Sequence, residues 1–365
     1  MPPNIFPPVS DGSMSAAGSR PTTSDTVFRP GVRSRRPRPD AAPGDSGRTP
    51  TRAPSPGVRV RLEPARKPAT PVARTDGPTL PRDRAILLRL ARLRVLSLAE
   101  LQALVFPGRD RSRLSRRLTV LEEAVWIRKW EEPRERGGRF RFIVPTDVGL
   151  AWALRRIEEQ SAGFAHGRLL ATMLRTNRAA PVVLPPGRIP SFLPHLSEVN
   201  AALVALLLAP SLGVTWASSW PRPFPVGVIG GHRLPQPDGV VLQAPDGAPA
   251  RLLFFEHDRA TESVRSFART KVDRYRSLAA RPALLEELTG FRRFSVLVSV
   301  AGANPSETDG RVSALRHLVL ERFAVPIMSV FRYSDLFDGP DAIRSAVGPG
   351  VPPPARTVAT PRRRP

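Results

Sequence analysis

Three carboxylates and one lysine carry most of the chemistry this sequence can offer. Asp238 follows Pro237 at the head of a short apolar run, Gly239 to Gln243. Glu256 closes a second run that begins at Arg251, and Asp246-Gly247 between them is a turn dipeptide. Paired as a hairpin, the two runs bring Asp238 and Glu256 to one end of a sheet. Two carboxylates there can hold Mg2+, which keeps several waters and also takes phosphate oxygens. A metal so held lowers the pKa of a bound water and stabilises charge on a scissile phosphate. Asp258 stands two residues past Glu256 and could serve as a further ligand. Lys271 shares a helical stripe with Phe267, Arg274 and Leu278, from which it can lean over the same sheet end. The plainer alternative is an ion pair of Lys271 or Arg274 with Asp258 that only holds the helix down.

A second set of residues suits a polyanion. The 365 residues hold 56 Lys+Arg against 32 Asp+Glu, a formal net charge of +24. Nucleic acid and anionic membrane surfaces are the partners such a chain attracts. The basic residues are nearly all Arg; lysine occurs only at 67, 129 and 271. A lysine kept in so Arg-rich a chain can mark a place where a compact ammonium is needed and a forked guanidinium is not tolerated. Cysteine is absent, which excludes disulfides, Cys-ligated zinc, a Cys nucleophile and iron–sulfur clusters. The longest largely apolar run, Val199 to Ala209, is too short to span a bilayer. No signal-peptide pattern opens the sequence, so a soluble cytoplasmic protein with no membrane association is expected. There is no GxxxxGK[ST] phosphate loop for ATP-driven work. The five His are scattered, which argues against a relaxase that nicks through Tyr.

These residues need elements to position them. Residues 1–79 hold about 16 prolines and about 13 Arg/Lys; they read as a disordered basic arm that either grips phosphates or does nothing. From Pro81 the apolar residues Ile86, Leu87, Leu90 and Leu93 fall at helical spacing. Ser97 with Glu100 is a capping box that opens a second helix. A third helix runs from about Arg111 to Ala124, with Leu114, Leu118 and Leu121 on its buried face. Two strands around Trp126–Trp130 and Phe140–Val144 flank a polar Gly-Gly loop, and Thr146 caps a fourth helix. This order predicts a winged helix-turn-helix over 80–160, whose third helix enters the DNA major groove; the alternative is a winged helix used for protein contacts. Arg109, Arg111, Arg113, Arg116 and Arg117 on that helix, with Arg136 and Arg139 in the wing, are the expected DNA contacts. Arg113 and Arg117 lie four apart on one face, positioned to pair with guanine edges. Residues 161–192 read as a helix and linker. An α/β domain over 193–337 follows: a helix with His195, Glu198 and Asn200, three strands, a helix, a strand, then a last helix and strand. Residues 338–365 read as a disordered basic tail.

The order of the second domain, with Pro237-Asp238 before a hairpin and Glu256 at the end of its second strand, resembles the PD-(D/E)XK nuclease fold. That likeness implies a mixed-sheet α/β fold and a catalytic set of Asp238, Glu256, Asp258 and Lys271, with Asp238 and Glu256 as metal ligands and Mg2+ as cofactor if the site is active. Asp258 stands where that fold usually has Lys; in some of its members the lysine comes from the next helix, where Lys271 sits. A degenerate fold that binds DNA or protein is the alternative. Over roughly 80–335 the chain also resembles the replication-relaxation family of actinobacterial plasmids and integrative elements. The likeness rests on Leu80-Pro81-Arg82-Asp83, Leu98 to Gln102 with Phe106-Pro107, Pro145 to Gly149, His195 with Asn200, Pro237-Asp238, and Phe255 to Ser263 with Lys271 and Tyr275. His257 replaces an expected small apolar residue and Ala260 an expected Gly. The family implies a DNA-binding protein of plasmid or mobile-element replication or DNA relaxation. Plasmid replication or transfer proteins are its expected partners, and it can form a homodimer. An Mg-dependent endonuclease guided by the winged helix and a winged-helix transcriptional regulator are the other readings.

Overall fold

In a computed structural model, the residues described are 77–78, 80–133, 139–161, 167, 169, 190–219, 228–229, 232–244, 249–323, 327–339 and 343, with side chains at 131–141 and 228–233 left out. Residues 1–76 of the arm, 344–365 of the tail and Arg136 lie outside them. Helix α1 (Pro81–Leu93) starts on Pro81, whose missing N–H costs nothing in a first turn. It buries Ile86, Leu87, Leu90 and Leu93. Strand β1 is only Leu96–Ser97. Ser97 then caps α2 (Leu98–Val105): its hydroxyl accepts from Glu100 N–H, and the Glu100 carboxylate accepts from Ser97 N–H. Helix α3 (Arg111–Glu123) is capped by Asp110 and buries Leu114, Leu118 and Leu121. Strands β2 (Ile127–Pro133) and β3 (Arg139–Pro145) pair antiparallel, and β1 adds to the outer edge of β3. Helix α4 (Asp147–Ser161) follows. At its start Thr146 accepts from Gly149 N–H, and a Cβ at Gly149 would stand 2.0 Å from the Trp126 carbonyl, so only glycine lets α4 sit this close to the entry of β2.

The second part opens with α5 (Leu193–Leu207) and β4 (Val214–Ser218), followed by a short ribbon of β5 (Val228–Ile229) and β6 (His232–Arg233). Then come β7 (Gly239–Gln243), β8 (Arg251–Asp258), α6 (Val264–Phe267), a π-helical turn (Ala268–Val272), α7 (Asp273–Ala279), α8 (Pro282–Thr289), β9 (Phe294–Val300), α9 (Pro305–Arg322) and β10 (Met328–Arg332). Among the described residues these strands form a mixed five-strand sheet in the order β10-β9-β8-β7-β4. The β8–β9 and β9–β10 pairs are parallel; β7–β8 and β4–β7 are antiparallel. The fully buried runs Val240–Leu242, Leu252–Phe255 and Val296–Val298 are apolar throughout, as strands covered on both faces must be. This is an α/β architecture. Among the described residues no helix is long and apolar enough to cross a membrane.

The two parts share one core. The last carbonyls of α1 have no partners within the helix, and side chains from the second part supply them. Asn200, fully buried on α5, donates to the Leu93 carbonyl at 2.9 Å and to the Val95 carbonyl. Beyond β4, Ser219 N–H donates to the Arg92 carbonyl and Ser219 Oγ to that of Leu93, while Ser218 Oγ also donates to Arg92. Leu193 of α5 packs with Trp130, Phe142 and Val144 of the small sheet.

Candidate functional site

The β7–β8 register pairs Gly239 with Phe255, which puts Asp238 and Glu256 side by side at one sheet end. The sequence expectation for their proximity rests on the same hairpin. Gly239 beside Asp238 is a place of close approach: a Cβ there would meet Leu203 of α5 at 3.0 Å. Strand alternation sends Glu256 and Asp258 to the face covered by α6, the π turn and α9, and His257 to the face covered by α5.

Lys271 stands between the two carboxylates. Its Nζ is 2.5 Å from Glu256 Oε2 and 4.0 Å from Asp238 Oδ1, and it donates to the Gln236 carbonyl at 2.9 Å. The other oxygen of Glu256 accepts from the Tyr275 hydroxyl at 2.6 Å. Asp238 Oδ2 accepts from His257 N–H at 2.8 Å, and Oδ1 lies 3.3 Å from His195 Nε2. Glu256 is completely buried. That burial pushes its carboxyl up to about 7 against the pull of Lys271, and the Asp238 charge adds to the rise. Burial would also raise Asp238, but the His195 hydrogen bond and the Lys271 charge hold it at about 2. Burial alone would lower Lys271; the charges of Glu256 and Asp238 hold it above the usual lysine range.

Asp258 is not part of this arrangement. Its Oδ2 accepts from Arg311 Nε of α9 at 2.7 Å and its Oδ1 from Ala260 N–H at 2.9 Å. It is a buried structural anion paired with Arg311, in place of the expected partners Lys271 or Arg274. The expected stripe of Phe267, Lys271, Arg274 and Leu278 is also reset. The π turn widens the helix at Lys271, and Tyr275 of α7 is the residue that joins Lys271 at Glu256.

The structure adds residues that the sequence reading did not assign. On the α5 face, His257 Nε2 is 3.0 Å from Glu198 Oε2 and His257 Nδ1 is 2.9 Å from Ser299 Oγ. Arg259 Nε reaches the same Glu198 oxygen at 2.9 Å, and the Tyr333 hydroxyl donates to the Glu198 carbonyl. Burial works against the Glu198 anion, but His257 and Arg259 hold its carboxyl below the usual range. His257 is therefore a paired core residue. The i, i+3 spacing of His195 and Glu198 on one helix face was the available signal; their partners, from Asp238 to Tyr333, lie more than 40 residues along the chain and were not.

The residues present do not fit a divalent cation held by Asp238 and Glu256. An ammonium already stands between the carboxylates, and every oxygen of the pair faces a protein nitrogen or hydroxyl. Among the described residues no group of three or more His, Asp or Glu is arranged to hold a metal.

The second candidate surface is α3. Arg109, Arg111, Arg113 and Arg116 are exposed, as is Val120. With Leu114, Leu118 and Leu121 facing the core, Arg113, Arg116 and Val120 fall on the opposite side of the helix. Arg117 departs from the expected role. Its guanidinium pairs with the Asp83 carboxylate of α1 through both Nε and Nη2, so it braces α3 against α1 and is not free to reach a base. The charge and bonding of Asp83 raise its pKa further. Lys129 of β2 braces the other side, 2.8 Å from Glu122 Oε2. The Arg139 side chain, like Arg136, lies outside the described residues.

The fold is thus that of an α/β protein with a mixed sheet, onto which a helical part with its own small sheet is packed. A family model described as replication-relaxation matches residues 87–288. That is more than half of the 365 residues, and the chain belongs to the replication-relaxation family. Comparison with curated proteins and with solved structures gives no match.

Proposed function

We propose that this chain is a DNA-binding protein of the replication-relaxation type, with residues 80–160 acting as a winged helix-turn-helix and 193–337 as a nuclease-like domain that does not cleave. The observation that carries the reading is the outward face of α3: four exposed arginines on and before a helix whose opposite face is buried leucine. Arginine forks pair with guanine O6 and N7, and an exposed Val120 suits a thymine methyl group. The order helix, helix, helix, two-strand wing supports major-groove docking of α3. Family membership supports a role on plasmid or mobile-element DNA, in the cytoplasm and alongside replication or transfer proteins. No reaction is assigned to Asp238 and Glu256, because Lys271 occupies the position a cation would need.

The test is fluorescence anisotropy on a duplex enriched from a random pool and on a random duplex, over a salt series. Each phosphate contact adds about 0.9 to the slope of log K against log salt. Arg113→Ala should cost on the order of 1–3 kcal/mol on the enriched duplex and less on the random one. Arg109→Ala with Arg116→Ala should lower the slope by about 2 on both. Unchanged affinity and slope in folded variants would remove α3 as the DNA-binding element.

A further inference from the structure

We infer that the Lys271 ammonium is a built-in substitute for a divalent cation, so that the carboxylate end of the sheet is a permanently metal-independent centre. The inference rests on this geometry and not on the DNA-binding reading. Nζ donates to the Gln236 carbonyl at 2.9 Å and to Glu256 Oε2 at 2.5 Å, and Asp238 Oδ1 stands 4.0 Å away as a second anion without a hydrogen bond to it. Carbonyl and carboxylate oxygens are what a hard cation takes. Here a compact point charge donates to two of them and faces the third as a counter-charge.

Several features hold the ammonium in that place. The π turn carries Lys271 over the sheet end, and Tyr275 fixes the far oxygen of Glu256 at 2.6 Å. Asp238 is oriented by His257 N–H and His195. Lys271 is one of three lysines in a chain with 56 basic residues. A planar guanidinium is a wide fork; it does not replace a point charge bonded to a carbonyl and a buried carboxylate with a second carboxylate 4.0 Å away. Metal entry would have to expel this charge from between two anions. A metal beside it would bring two positive centres within contact distance.

The prediction is an inversion: the wild type ignores divalent metal, and removal of the lysine creates a metal site. The full chain, its Asp238→Asn and Lys271→Met variants and the Lys271→Met/Asp238→Asn double variant are freed of metal by chelation and titrated with Mn2+ at pH 8. Bound Mn2+ is counted by loss of the free-ion paramagnetic resonance signal, and melting is followed by calorimetry. The wild type should bind no Mn2+ that Asp238→Asn removes, and its melting temperature should not move. Lys271→Met should bind one equivalent. Its melting temperature should rise by about 5–10 °C at a hundredfold excess over the dissociation constant. The double variant should lose both effects. If Lys271→Met is unfolded without metal, Mn2+ should restore its melting transition. A wild-type equivalent of Mn2+ lost on Asp238→Asn overturns the inference. So does a Lys271→Met protein that neither binds Mn2+ nor gains structure from it.

Discussion

Replacing Arg117 should damage the fold and spare the DNA binding proposed for α3, the opposite of what its place on that helix suggests. The Asp83 side chain is 4% exposed and that of Arg117 29%. In Arg117→Ala the Asp83 carboxylate is left buried with no countercharge. Breaking a fully buried pair from one side costs roughly 3–5 kcal/mol. Arg117 is partly in solvent, so water enters when it is cut back and the cost falls to about 2–3 kcal/mol. In a domain of this size that is a melting shift of about 5–10 °C. Asp83→Asn should be milder, about 1 kcal/mol, because the amide oxygen keeps a hydrogen bond and the Arg117 charge that loses its partner is the more exposed of the two. The double variant should be less damaged than the sum of the singles by about 2 kcal/mol, since the two residues act on each other. Urea unfolding followed by tryptophan fluorescence measures all three. DNA affinity on the enriched duplex should fall only in proportion to unfolded protein. An Arg117→Ala protein as stable as wild type, yet selectively blind to the enriched duplex, would refute the brace and return Arg117 to the reading face.

Two further outcomes follow from the sheet end. Asp238 is held at about 2, below the ordinary carboxylate range. The unfolded state therefore takes up its proton first as pH falls, and the stability that Asp238 supplies is complete above about pH 4 and lost as pH falls through 2. The loss amounts to about 2 kcal/mol, and Asp238→Asn should not show it; a flat difference between the two urea-stability curves over pH 4 to 2 would contradict the pairing. Ala260 has φ of +55°, a region that costs a residue with a Cβ about 1–2 kcal/mol. Ala260→Gly should raise stability by about 0.5–1 kcal/mol after the entropy of the unfolded glycine is counted. Loss of stability in that variant would show that the Ala260 methyl makes contacts worth more than the strain.

The parts of this protein legible in the sequence are those whose cause is local. The Ser97–Glu100 box closes within one turn, and β7 pairs with β8, the next apolar run along the chain; both stand where spacing puts them. The proximity of Asp238 to Glu256 was legible for the same reason. The illegible parts are set by partners far along the chain. Nothing in α3 distinguishes Arg113 from Arg117 until α1 brings Asp83 alongside, 34 residues away. Asp258 could not be separated from the metal-ligand set without Arg311, 53 residues on. Short elements escaped as well: β1 is two residues long, and α8 makes only two turns. The two residues that depart from the expected pattern, His257 and Ala260, divide by physics. His257 brings a polar ring into the core, and Ser299 and Glu198 meet both of its nitrogens, so the change comes with its own compensation. Ala260 brings a methyl group into a left-handed turn. Its N–H still bonds Asp258, as a glycine there would, so the bond does not repay the strain. Asp258 joins that turn to α9, with Ala260 N–H on one oxygen and Arg311 on the other, a structural task for the buried carboxylate that needs no metal.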